Sequence, residues 1–83
     1  MALFMDVHSI EGGITADAVA KARRADLRTQ GRHRVSYLRY WVAEDAGRFF
    51  CLVDAASAED ARIVHQEAHG LVAQEIYEVS EHN

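Results

Sequence analysis

The sequence predicts an α+β fold, a four-stranded antiparallel sheet with two helices on one face, and three observations predict it. Four stretches read as strands, at about residues 2–9, 34–43, 48–54 and 75–80: the first two alternate with the period of two that half-buried strands require, and the third is a short apolar run behind a polar turn. Two stretches of helical period, at about residues 15–30 and 57–69, open on Thr15 or Ser57 and are followed by Gly31 or Gly70. Both halves of the chain therefore run strand-helix-strand. The resulting β-α-β-β-α-β order is the ferredoxin-like pattern, laid over one domain of residues 1–83.

In the first strand Leu3, Met5 and Val7 share one face and Phe4, Asp6 and His8 the other, and the Glu11-Gly12-Gly13 cluster ends it. Thr15 can cap the first helix by accepting a backbone N–H, and Asp17 suits the positive end of its dipole. Ala16, Val19, Ala20, Arg23 and Leu27 form a stripe along that helix, with Ala22 and Asp26 beside it. The second strand is rich in aromatic and β-branched residues and sets Leu38, Tyr40 and Val42 against Tyr37, Arg39 and Trp41. The polar turn Glu44-Asp45-Ala46-Gly47 then makes a hairpin with the third strand. Ser57 with Asp60 resembles a capping box for the second helix, whose inward stripe is Ala61, Val64, His65 and Ala68.

Right-handed crossovers put the strands in the spatial order 4-1-3-2. The end of the first strand, the end of the second helix and the start of the fourth strand then share an edge, which makes His8, His69 and Glu75 prospective neighbours. With Leu38, Tyr40 and Val42 against the helices, the open face is expected to carry Tyr37, Arg39 and Trp41 with Phe4, Asp6 and His8. A small domain that leaves large rings in water gains stability from a second copy, so a homodimer is expected.

Composition excludes several classes of function. A formal net charge of -4, with no basic run beyond Arg23-Arg24 and Arg32-His33-Arg34, is not the footprint of a nucleic-acid binder. No apolar run approaches the roughly 20 residues of a membrane span, and the N-terminus has neither the basic start nor the apolar core of a signal peptide, so no membrane association and a cytoplasmic location are expected. The single cysteine, Cys51, cannot form an internal disulfide and reads as a small buried hydrophobe within Phe49-Phe50-Cys51-Leu52-Val53.

Chemically capable residues gather at the end of the second helix. His65 and His69 are four residues apart, so their rings lie one turn apart on one face, where they can close on a divalent ion or form an ordinary helix surface. Glu67 points away from both, and Gln66 stands where a zinc protease carries its catalytic Glu. Asp26 is either a solvated edge residue or a carboxylate facing the sheet rim. The leading metal ligands are His8, His65 and His69, with Glu75 and Asp26 as candidate carboxylates. Asp6 and His8, two apart on one strand face, form either a candidate acid/base pair or an orienting hydrogen bond.

Five motifs in order, Met5-Asp6-Val7-His8, Ala25-Asp26-Leu27 with Gln30, Tyr40-Trp41 followed by Phe50-Cys51-Leu52, Val64-His65-x-x-Ala68-His69-Gly70 and Glu75-Ile76-Tyr77-Glu78-Val79, resemble the small nickel-binding, nickel-responsive ferredoxin-like proteins. The resemblance spans about Met5 to Val79. It implies a dimeric domain that binds Ni²⁺ for sequestration or detoxification, other divalent metals not excluded, with no established catalysis. One departure is Arg23-Arg24, where relatives are expected to carry a histidine. A different class of function stays open beside it: a small dimeric enzyme of the cofactor-free monooxygenase or isomerase type, with a pocket on the open face lined by Asp6, His8, Tyr37 and Trp41. Fold alone does not choose between them.

Overall fold

A computed structural model of the chain describes residues 2–82. It contains β1 (Ala2–Ser9), α1 (Ala16–Thr29), a 3-10 turn (Gln30–His33), β2 (Ser36–Ala43), β3 (Arg48–Ala55), α2 (Ala58–Ala68) and β4 (Glu75–Val79). The sheet runs β2-β3-β1-β4 with every neighbouring pair antiparallel, the ferredoxin-like arrangement expected from the element order.

The caps form as the sequence predicts. Thr15 accepts from the Ala18 N–H at 3.1 Å, and Ser57 accepts from the Asp60 N–H at 3.2 Å. Gly70, at φ 78°, ends α2 by donating its N–H to the His65 carbonyl at 3.0 Å. Gly31 does not play that part for α1. The chain tightens into the 3-10 turn, and Arg34 takes the left-handed conformation at φ 54°, which delays β2 to Ser36. Gly47 closes the β2–β3 hairpin at φ 66°, where a Cβ would meet the Ile10 carbonyl oxygen at 2.9 Å.

The faces of the sheet differ from the sequence expectation. Phe4, Asp6 and His8 point toward the helices, because β1 pairs Phe4 with Val53, Asp6 with Cys51 and His8 with Phe49, and all six side chains are buried. On β2 the pairing passes from Tyr37↔Val53 to Arg39↔Leu52, so Leu38 is an extra residue in a bulge. The bulge lets Tyr37 face the helices together with Tyr40 and Val42, which pack against the core, while Leu38 and Trp41 are exposed. The stripe of α1 is also rotated: Val19, Ala22, Asp26 and Thr29 are buried, whereas Leu27 is exposed. The apolar core comprises Phe4, Val19, Val35, Tyr37, Phe49, Cys51, Val53, Ala55, Ala61 and Val64.

Candidate metal centre

Four elements bring the chemistry together between the sheet and the helices. The pleat of β1 delivers Asp6 and His8, with Cys51 of β3 directly across from Asp6. Asp26 comes from the buried face of α1, and α2 presents His65 and His69 from successive turns. Asp6 and His65 are completely inaccessible to solvent, and His69 is 11% exposed at the rim.

His65 is the hub. Its Nε2–H donates to Asp6 Oδ2 at 2.8 Å and its Nδ1–H donates to Asp26 Oδ1 at 2.8 Å. Asp6 Oδ1 accepts a second hydrogen bond from His8 Nε2 at 3.1 Å, and the His8 ring stacks on Phe49 with centroids 4.2 Å apart. Asp26 Oδ1 also accepts from His69 Nε2 at 3.0 Å, while His69 Nδ1 accepts the Leu71 N–H at 3.0 Å. The Leu71 bond fixes the tautomer of His69 and aims its Nε2 inward. Nδ1 of His65 and Nε2 of His69 stand 3.2 Å apart.

Burial on its own would push the Asp6 carboxyl up, but hydrogen bonds from His65 and His8 outweigh it and lower the pKa to about 2. For His65 burial works against the charged ring, yet the hydrogen bonds to Asp26 and Asp6 and their charges raise it to about 9. Asp26 is lowered for the same reason as Asp6, with His65 and His69 as its donors. The buried cluster is therefore an imidazolium between two carboxylates. Burial pushes the Cys51 thiol and the Tyr37 hydroxyl well up, so both stay protonated.

Profile comparison matches residues 4–79 to the family described as nickel responsive protein SCO4226-like. The chain belongs to this family. Among solved structures, the crystal structure of SCO4226 from Streptomyces coelicolor A3(2) superposes with a TM-score of 0.90 at 38% identity, covering 99% of this chain and 100% of that one. A search of curated proteins gave no match.

The family is described as nickel responsive, so the fit of these donors to such an ion bears on the site. Asp26 Oδ1, His65 Nδ1 and His69 Nε2 are separated by 2.8, 3.0 and 3.2 Å. Neighbouring ligands at right angles around an ion with bonds of about 2.1 Å lie about 3.0 Å apart. The three donors thus have the spacing of one face of an octahedron, and two imidazoles with a carboxylate form a donor set that suits borderline divalent metals. Behind His65, Asp6 holds Nε2–H and so turns Nδ1 toward the face, the arrangement that orients metal-ligating histidines generally. A groove of about 350 Å³, lined by four alanines, His69 and Leu71 together with the cations Lys21 and Arg28, reaches the rim.

Of the residues nominated from the sequence of this SCO4226-like protein, His65, His69 and Asp26 come together in one cluster. His8 joins the deeper group of Asp6, Cys51 and His65 rather than the neighbourhood of His69. Glu75 stands apart from both: it pairs with Val7 on the open face, one pleat step away, and accepts from the Tyr77 hydroxyl. Asp6 and Cys51 were not among the nominated ligands. The run Phe49 to Val53 is apolar throughout and does not mark its inward side; it is the pairing of Cys51 with Asp6 in the sheet that places Asp6 inside. The proposed open-face pocket does not form, because Asp6, His8 and Tyr37 lie on the helix side and only Trp41 remains outside. Glu67 does turn away from the histidines, to His33 at 2.9 Å and Arg32 at 3.6 Å. Arg23 donates to the Tyr37 carbonyl at 2.9 Å and lies over the rings of Tyr37 and Tyr40.

Proposed function

We propose that the protein binds Ni²⁺ as cargo, held by Asp26, His65 and His69 with water completing its shell, and that this serves metal sequestration or detoxification. The observation that carries the reading is the mutual spacing of the three donor atoms. Membership of a nickel-responsive family selects nickel among the ions such a donor set accepts. No helix among the described residues is long and apolar enough to cross a membrane, and a lone buried thiol suits the reducing cytoplasm, where we infer the protein works.

We also infer a homodimer formed through the open face of the sheet. Trp41 is 48% and Tyr77 52% exposed there, and a cleft of about 200 Å³ is lined by Leu3, Met5, Trp41, Leu52 and Val79. A contiguous apolar face on so small a domain suits a self-complementary two-fold contact.

Calorimetric titration of tag-free protein with Ni²⁺, Zn²⁺, Cu²⁺ and Co²⁺ tests the metal reading. Ni²⁺ should bind far tighter than millimolar, and His69→Ala should weaken it by at least about tenfold, or roughly 1.4 kcal/mol, with the fold retained. Failure of all four ions to bind tighter than millimolar would remove it.

A further inference from the structure

The residues left over from the rim cluster form a second group in the core. Asp6, His8, Cys51 and His65 come from β1, β3 and α2, and each can offer one ligand atom within 4.8 Å of the others. All four are at most 3% exposed. The neighbouring inward positions of the same strands hold the apolar Phe4, Val53 and Phe49. The chain instead sets a carboxylate, two imidazoles and a thiol around one point.

We propose that Asp6, His8, Cys51 and His65 form an inner four-coordinate site for a borderline divalent cation such as Zn²⁺, Co²⁺ or Ni²⁺. The donor set, two nitrogens, one oxygen and one sulfur, is the mixture such ions take in tetrahedral sites. Bonds of about 2.0–2.3 Å in that geometry place ligand atoms about 3.3–3.8 Å apart. The ligand atoms of the group all lie within 4.8 Å of one another; His65 Nε2 to Asp6 Oδ2 at 2.8 Å and His8 Nε2 to Asp6 Oδ1 at 3.1 Å are hydrogen-bond separations, which widen to this range when an ion replaces the bridging protons.

Charge balances across the step. In the ion-free cluster both ring nitrogens of His65 face carboxylate oxygens at 2.8 Å, and the Cys51 thiol lies across from Asp6. Entry of one M²⁺ forms bonds to an Asp6 oxygen, His8 Nε2, Cys51 Sγ and His65 Nε2: Cys51 Sγ–H and His65 Nε2–H each release one proton to solvent and the His8 Nε2 proton passes to Nδ1 of the same ring, so two positive charges enter and two leave. The low-dielectric interior therefore sees no change in net charge, which is the condition for burying an ion there. His65 keeps its Nδ1–H on Asp26 when the inner site is filled, so the inner and rim sites share this one ring, and the inner site stands whether or not the rim site binds nickel.

Cobalt reads the thiolate directly. Wild-type protein and the variant Asp26→Asn with His69→Ala, which lacks two of the three rim ligands, are each saturated with Co²⁺, both folded and after refolding with the ion present so that a closed core does not block entry. A near-ultraviolet thiolate-to-cobalt charge-transfer band is expected in the rim-deficient variant, together with a sulfur neighbour at about 2.3 Å by X-ray absorption. Cys51→Ser should abolish the band and weaken Co²⁺ binding to the rim-deficient variant by at least about tenfold. If that substitution unfolds the chain, the band and sulfur shell of the Cys51-containing proteins decide alone. Absence of both from wild type and the rim-deficient variant overturns the inner site, whatever nickel does at the rim.

Discussion

The two faces of this sheet invert the usual distribution of residues. The face beneath the helices buries two carboxylates and two histidines completely or almost so, while the open face leaves Leu38, Trp41 and Tyr77 about half exposed. Burying a large apolar side chain stabilises a fold by about 1.5–3 kcal/mol, whereas an ion taken out of water costs several kcal/mol unless it is well paired. A chain selected for stability alone would place these residues the other way round. The difference supports the proposals made above, ligation on the inner face and association through the outer one.

Breaking the inner face should give the largest effect. Asp6→Ala leaves the His65 imidazolium with one carboxylate and His8 with none, and should destabilise the metal-free protein by about 3–5 kcal/mol in urea denaturation. The same pairing sets a pH window. His65 is raised from 6.5 to about 9, so its contribution is whole below about pH 6.5 and is lost as pH rises through about 9. Asp6 is lowered from 3.8 to about 2, so its contribution is whole above about pH 3.8 and is lost as pH falls through about 2. Thermal melts of metal-free protein should accordingly peak between about pH 4 and 6.5.

Metal binding runs against the same proton. Nδ1–H of His65 must leave before a cation takes its place, so Ni²⁺ affinity should rise about tenfold per pH unit up to about pH 9, near a hundredfold from pH 7 to 9. Calorimetry in two buffers of different ionisation heat would show the released proton. On the outer face, Trp41→Ser should weaken self-association by about 2 kcal/mol, seen by sedimentation as monomer at concentrations where wild type is dimeric, with the melting of the monomer little changed. The smallest effect belongs to Glu75→Gln, which lies on the outer face and should alter Ni²⁺ affinity less than twofold, or under about 0.4 kcal/mol.

The element order was legible because period-two and helical patterns, two caps and the Glu44–Gly47 turn all agree on one topology. His65, His69 and Asp26 were legible as ligand types, and the i, i+4 spacing already put the two histidines on one face. What hid the full cluster was the side on which β1 packs. Asp6 and His8 look like an exposed face when polarity alone assigns the pleat, and the bulge at Leu38, which carries both Tyr37 and Tyr40 inward, has no Gly or Pro to mark it. Asp26 was equally hard to place, because a carboxylate on an alanine-rich helix reads as solvated until the histidine that pairs with it is known to lie opposite.

The rim cluster as a nickel site is tested most directly by calorimetric titration of Ni²⁺ into tag-free wild type and into Asp26→Asn with His69→Ala, which removes two donors while the amide still accepts from His65. The expected result is a folded variant whose Ni²⁺ affinity falls by at least about a hundredfold, or roughly 2.7 kcal/mol. Unchanged nickel affinity in that folded variant would contradict the assignment of Asp26, His65 and His69 as the ligands.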